Sequence, residues 1–144
     1  KDEYYRTGNT DLLHVLHRGK GIPISLASIY ILVGKRAGLA IRGCNLPGHF
    51  LASTIIDGKP VLVDCFHGGR IIDEEDIASL TTSTRITLED LLRLECDGEV
   101  IVTRVLRNLQ HAYRMASDET NQDLMGELLL PFSRGEEDDP SEAD

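Results

Sequence analysis

The sequence has few cysteines and none of the spacings that would tie them together. Its three cysteines, Cys44, Cys65 and Cys96, stand at unrelated positions. An odd number without a Cys-x-x-Cys pair argues against a disulfide framework and against a structural zinc site. With 144 residues, the chain is long enough to fold around one hydrophobic core without such cross-links. We therefore expect reduced thiols and a cytoplasmic protein.

Long apolar runs and an excess of positive charge are also missing. No apolar stretch approaches the roughly 20 residues that a membrane-spanning helix needs. The formal net charge of -9 would repel the phosphate backbone of a nucleic acid. The glycine-rich fragments GKG and HGGR lack the length and the Lys-Ser/Thr pair of a phosphate-binding loop. The sequence therefore predicts no membrane or nucleic-acid partner and no cofactor.

A secretory leader is missing as well, because no basic segment followed by an apolar one opens the chain. The sequence begins at Lys1 rather than at a methionine, which suggests a piece of a longer protein. At the other end, residues 132–144 are acidic and poor in apolar side chains, so we predict a disordered tail there.

Helical patterns occur near both ends of the chain. The segment NTDLLHVLHRG predicts a short helix with Asn9 or Thr10 as its cap and Gly19 after its end. A second helix is predicted from Pro23, a favoured first helical residue, to a stop at Gly38. Helical segments return with DEEDIASL, with TLEDLLRLE and with two longer stretches up to residue 131.

The middle of the chain has the period of β-strands and predicts an antiparallel meander. The strands AIRGC, HFLASTII, PVLVDCF and RII are separated by the turns Pro47-Gly48, Asp57-Gly58 and Gly68-Gly69. Asp57-Gly58 is a favoured two-residue hairpin turn, and it would pair Ile56 with Lys59. This pairing fixes the register of the whole hairpin.

A histidine stands at the head of the second predicted strand, in the segment CNLPGHFLAST. In the predicted register, His49 lies opposite Phe66 and diagonally from Asp64 on one sheet face, about 7–8 Å away. A carboxylate bonded to one ring nitrogen fixes the tautomer and leaves the other nitrogen as a base. Ser25, in the first turn of the second helix, could supply a nucleophile where the helix N-terminus stabilises an anion.

Simpler roles account for the same three residues. His49 could bond a backbone carbonyl beside a turn, and Asp64 could accept backbone N–H groups at a strand end. Ser25 could satisfy an N–H group in the first turn of its helix, which is the commonest use of serine there. The spacing alone leaves both interpretations open.

Two other arrangements around His49 are less favoured. His67 would complete a metal cluster with His49 and Asp64, but strand alternation turns it away unless the following glycine pair redirects it, and the spacing matches no standard zinc pattern. We therefore predict no metal site. Cys44 could approach from a flank as an alternative nucleophile, although free cysteines usually act as small buried hydrophobes.

Three segments resemble the transglutaminase-like (papain-like) superfamily, and within it the SirB-type bacterial proteins: RGKGIPISLASIYILVGKRAGL, GCNLPGHFLAS and VLVDCFHGG. The resemblance runs from about Tyr4 to Pro131. It implies an α+β fold in which N-terminal helices pack on a small antiparallel sheet and a tetratricopeptide-like helical hairpin follows. The corresponding domains are residues 1–95 for the transglutaminase-like part, 96–131 for the hairpin and 132–144 for the tail.

The resemblance also implies roles for the three candidate residues. His49 matches the catalytic histidine of the superfamily, Asp64 matches the acidic residue that orients it, and Ser25 occupies the place of the nucleophilic cysteine. A hydroxyl is a much poorer nucleophile than a thiol, whose pKa is about 8.5 when free. The leading hypothesis is therefore a degenerate site, a pseudoenzyme that binds a protein or peptide partner. The alternative is a Ser-His-Asp hydrolase or acyltransferase acting on amide or ester bonds.

Overall fold

The computed structural model describes residues 7–46, 48–73, 75–77 and 87–133. The predicted acidic tail lies outside the described residues from residue 134 onward. Pro47 of the first predicted turn also lies outside them, as do residues 78–80, the end of the helix predicted at DEEDIASL.

The first helix, α1, covers Leu12–Arg18 and begins after Asp11. The Asp11 carboxylate accepts hydrogen bonds from two backbone N–H groups of the first turn. The predicted cap at Asn9 or Thr10 is therefore wrong, because a 3-10 turn at Thr7–Asn9 carries the chain further before the helix starts. Gly19 ends the helix in the left-handed conformation, with φ 63°, as predicted.

The second helix, α2, covers Pro23–Arg36 and packs one side against the sheet. Pro23 takes the predicted first position, and Gly38 follows the end with φ 80°. Gly34 allows a close approach to the loop before the first strand, because a Cβ atom there would lie 2.2 Å from Cδ1 of Ile41. The helix thus lies directly on the chain that enters the sheet.

A five-stranded antiparallel sheet in the order β4-β3-β2-β1-β5 forms the centre of the fold. Its strands are β1 Arg42–Cys44, β2 Leu51–Ile56, β3 Lys59–Asp64, β4 Arg70–Ile72 and β5 Glu95–Cys96. The four-stranded meander is confirmed. The short β5, which pairs with β1, was not predicted.

The predicted hairpin register is also confirmed. Ile56 pairs with Lys59, and Ala52 pairs with Val63. Both turn residues have positive φ, 50° at Asp57 and 75° at Gly58, which suits the tight turn that matches the twist of the strands. One boundary differs, however: β2 begins at Leu51, so the prediction that His49 starts the strand is wrong.

His49 instead lies in the loop between β1 and β2. Its backbone N–H donates to the carbonyl of Leu46 at 3.1 Å, which folds the chain back before it enters the sheet. The imidazole therefore projects from a loop next to the sheet rather than from the ladder itself.

Side-chain alternation gives the sheet two buried faces. One face packs under α2. The buried core between this face and the helix consists of Ile22, Ile24, Ala27, Ile31, Ile41, Phe50, Ala52 and Val63. The other packs with the short helix α3, Leu88–Leu92, and includes Cys44, Leu46, Leu51, Leu62, Ile72, Ile77 and Leu91. Thr87 caps α3, because its hydroxyl accepts from the N–H of Asp90.

Two longer helices complete the described chain: α4, Gly98–Met115, and α5, Glu119–Ser133. Ile101 and Val105 of α4 pack against the core under α2. The helix α5 continues through Pro131 rather than ending there. Helices, an antiparallel sheet and C-terminal helices confirm the α+β class, while the boundary between residues 95 and 96 stays a prediction. Within the described ranges, no helix is both long and apolar enough to cross a membrane.

Candidate functional site

Asp64, the last residue of β3, is a buried carboxylate with both oxygens engaged. Its residue is 1% exposed. Oδ1 accepts the backbone N–H groups of Phe66 and His67 at 3.0 and 3.1 Å. Oδ2 lies 2.9 Å from Nε2 of His49 and 2.7 Å from Nδ1 of His67. Four nitrogens therefore hold one carboxylate.

These contacts favour the ionised form of Asp64. Burial alone would raise the pKa of this carboxyl, but hydrogen bonds from the side chains of His67 and His49 and from the His67 backbone outweigh it. The charge of His49 acts in the same direction, and the pKa of Asp64 ends below its usual value. The site thus keeps a negative charge in a place that water barely reaches.

The predicted approach of His49 to Asp64 is present in the structure. The His49 side chain is 14% exposed, and its Nε2 faces the carboxylate. When Nε2–H donates to Asp64, Nδ1 is left without a proton and can act as a base. The geometry is that of an oriented histidine, and its catalytic role stays a prediction.

Ser25, the third predicted residue, has a different partner. It is fully buried, at 0% exposure, in the first turn of α2. Its Oγ donates to the carbonyl of Asn9 at 2.9 Å. Among the described residues, no hydrogen bond joins this hydroxyl to His49. The structure therefore brings His49 and Asp64 together and ties Ser25 to the chain before α1.

His67 joins the site because β3 ends earlier than the strand pattern predicts. Residues 65–68 form a turn, and the N–H of Gly69 donates to the Asp64 carbonyl at 2.9 Å. Gly68 and Gly69 both have left-handed φ, 77° and 78°. The glycine pair thus redirects His67 towards Asp64. A cluster of His67 with His49 and Asp64 required this change of direction. The His67 side chain remains 61% exposed.

Three neighbouring rings, His49, Phe66 and His67, form a surface that we call the ring cluster. Phe66 is 41% exposed. Its ring meets those of His49 and His67 edge to face, with centroids 6.3 and 5.1 Å apart. The two imidazole centroids are 6.0 Å apart. Two rings of the cluster contact the buried Asp64, and the Phe66 and His67 side chains are exposed to solvent.

Arg104 of α4 holds the loop that carries His49. Its guanidinium donates to the carbonyls of Leu46 and His49, both at 3.1 Å, and to the side chain of Asn45. It also lies over the ring of Phe50, 5.4 Å from the centroid. Nothing local in the sequence identifies this residue, because its partners lie 55 to 59 positions away.

The cysteines are poorly suited to act as nucleophiles. Burial, with the nearby Cys96 and Glu95, raises the pKa of Cys44 to about 12, and its thiol donates to the Leu91 carbonyl. Burial and the charge of Asp64 raise the pKa of Cys65 to about 11. These thiols stay protonated and unreactive at neutral pH. Cys96 lines a pocket of about 350 Å³, whose lining includes none of the three rings.

A helix packed on an antiparallel sheet, with an oriented His-Asp pair beside it, is the arrangement that the resemblance to the transglutaminase-like superfamily implied. The sequence model of the transglutaminase-like superfamily matches residues 1–107, and the chain belongs to that superfamily. The resemblance predicted from the sequence is thereby confirmed.

Curated relatives agree with this assignment. The chain is 35% identical to a UPF0162 protein of Xylella fastidiosa, over 78% of this chain and 42% of that protein. It is 33% identical to a UPF0162 protein of Vibrio cholerae over 47% of this chain and 26% of that one. F-box only protein 21 of Mus musculus is 33% identical over 44% of this chain and 10% of its own length. The chain thus spans less than half of each relative, and no solved structure gives a significant match.

Proposed function

We propose that this is a degenerate transglutaminase-like domain of the SirB type, which binds a protein or peptide partner without cleaving it. Ser25 carries the proposal. It occupies the place of the nucleophilic cysteine, yet its hydroxyl is buried and donates its hydrogen to the Asn9 carbonyl. A nucleophile must be reached both by its base and by the substrate. A hydroxyl in this position is better suited to fastening α2 to the preceding turn.

The ring cluster is the surface that we assign to the partner. Half-exposed aromatic side chains are enriched where proteins recognise one another, because they bury much area with few rotatable bonds. Phe66, beside two imidazoles, offers such a contact. The net charge of -9 favours the approach of a basic segment. The partner would therefore present an aromatic or aliphatic anchor flanked by basic residues.

A labelling experiment tests the loss of nucleophilic chemistry. The natural chain should take up no fluorophosphonate probe beyond the level of its Ser25→Ala variant. A Ser25→Cys variant should react with iodoacetamide no faster than an unactivated thiol, because the side chain is buried. Specific labelling of the natural chain that disappears in both Ser25→Ala and His49→Ala would contradict the proposal.

A peptide selection tests the binding surface. Peptides selected from a random library on the natural chain should lose at least about tenfold in affinity for Phe66→Ala, as expected for an aromatic anchor. Tyr30→Ala is the matched control, since Tyr30 is similarly exposed on α2, outside the ring cluster. Equal binding to both variants would place the partner elsewhere.

The second candidate is a Ser-His-Asp hydrolase or acyltransferase, and the His49–Asp64 contact is what favours it. In that reaction Ser25 would attack an amide or ester, His49 would act as general base and then acid, and Asp64 would orient the ring. The Ser25 hydroxyl would first have to leave Asn9. The fluorophosphonate experiment separates the two candidates.

A further inference from the structure

We infer that His49, Asp64 and His67 form a binding site for a divalent transition metal, with Zn²⁺ as the best match. One ligand atom from each residue, Nε2, a carboxylate oxygen and Nδ1, lies within 4.8 Å of the others. The inference goes beyond the proposed function: it uses two residues of the ring cluster, His49 and His67, but requires no partner and no turnover. It concerns what the three side chains bind.

The direction of the two imidazoles is the first argument. Both aim at the same oxygen, Oδ2, at 2.9 and 2.7 Å. The other oxygen, Oδ1, is occupied by the backbone N–H groups of Phe66 and His67. The carboxylate is therefore oriented by the backbone and offers one oxygen to two ring nitrogens, as an outer shell of hydrogen bonds orients a metal ligand.

The spacing of the ligand atoms is the second argument. Zinc at about 2.0–2.1 Å from nitrogen and oxygen ligands in tetrahedral geometry separates those ligands by about 3.3 Å. The two observed nitrogen–oxygen distances are shorter by about half an ångström or slightly more. His67 is 61% exposed, so its ring can move by that amount without disturbing the core. An ion would take the place of the two N–H protons.

The chemistry of the donors selects the class of metal. Two imidazoles and a carboxylate suit Zn²⁺ and its neighbours in the first transition row. Mg²⁺ and Ca²⁺ prefer six or more oxygen ligands, which this site does not offer. Three protein ligands leave a fourth position to solvent beside the exposed His67, as in open rather than closed zinc sites.

The test is a titration of the full chain with Zn²⁺ alone, after treatment with a chelator, followed by calorimetry and by competition with a chromophoric chelator. We expect one ion per chain. His67→Ala should weaken binding by at least about 100-fold, since loss of a ligand exceeds the effect of losing an outer-shell contact. The His67 side chain is 61% exposed, so this variant should keep the fold even though it loses one hydrogen bond to Asp64, which a cooperative thermal transition without metal would verify.

A His14→Ala/His17→Ala double variant is the matched control, because it removes two exposed histidines of α1 and should bind Zn²⁺ as the natural chain does. Co²⁺ should give the visible spectrum of a nitrogen and oxygen site. Binding that survives in His67→Ala, or that disappears in the control, would overturn the inference. An intense thiolate band with Co²⁺ would also overturn it, because it would assign the metal to a cysteine.

Discussion

At Asp64 the two oxygens of one carboxylate hold different parts of the protein. Oδ1 binds the turn that follows β3, and Oδ2 binds the two imidazoles. Asp64 therefore holds the turn after β3 and orients two imidazole rings. The sequence allowed two interpretations of Asp64: an acceptor for backbone N–H groups, or a group that orients His49. The contacts of Oδ1 match the first interpretation, and those of Oδ2 match the second.

Replacing Asp64 by Asn should separate these contributions through pH. At pH 7 we expect Asp64→Asn to lower the free energy of unfolding by about 1–3 kcal/mol, because an amide offers one acceptor oxygen where the carboxylate uses two. The folded pKa of Asp64 is lowered, so its stabilisation is present above the unfolded pKa of about 3.9 and is lost as pH falls through the folded value.

Urea unfolding with chelator present, at several pH values from 7 to 3, measures this difference. The gap between the natural chain and Asp64→Asn should shrink as the pH falls below about 4. A gap of the same size at pH 3 would show that the charge of Asp64 contributes nothing.

Gly34 is the second residue with a defined consequence. A Cβ atom there would meet the buried Ile41 side chain at 2.2 Å, so Gly34→Ala should lower the free energy of unfolding by about 1–3 kcal/mol despite the better helix propensity of alanine. Gly98→Ala is the control, because a Cβ at Gly98 meets nothing within 4 Å. The thermal midpoints of the two variants should shift in opposite directions, or the midpoint of Gly34→Ala should fall clearly more than that of Gly98→Ala.

Among the elements, α4 acts on the site through Arg104, which reaches from it to the loop that carries His49. Arg104→Leu should lower the free energy of unfolding by about 2–3 kcal/mol, since it leaves partly buried carbonyls without their charged donor. Hydrogen exchange in residues 45–50 should become faster. Arg107→Leu, at an exposed position of the same helix, should change neither quantity. If hydrogen exchange in the loop were unchanged in Arg104→Leu, the loop would keep its conformation without the Arg104 hydrogen bonds.

The hairpin of β2 and β3 was predictable because one local turn sets its register. Asp57-Gly58 determines every pair of the hairpin. The approach of His49 to Asp64 was predicted by counting along that ladder, but His49 lies in the loop before β2, so the loop rather than the ladder makes the contact. The position of His67 was not predictable in the same way, because it depends on where β3 stops. The contacts of Ser25 and Arg104 depend on partners 16 to 59 positions away, which no periodicity reveals.

On the scale of the whole molecule, the superfamily match ends at residue 107, inside α4, although the sequence predicts a domain boundary at residue 95. Ile101 and Val105 pack on the core under α2, so a chain of residues 1–96 should lose the cooperative unfolding transition of the full chain. A chain ending at residue 133 is the control and should unfold as the full chain does. Circular dichroism during heating measures both, and a cooperative 1–96 fragment would establish the boundary at 95.

The glycine pair after His67 has a consequence for how such proteins diverge. A Cβ at Gly68 or Gly69 would meet no neighbour within 4 Å, so only the left-handed backbone requires glycine there. One nucleotide change in either codon would relax the turn and release the second imidazole, while the sheet behind it stayed folded. The contact of this ring with Asp64 can therefore be gained or lost by a substitution confined to the turn.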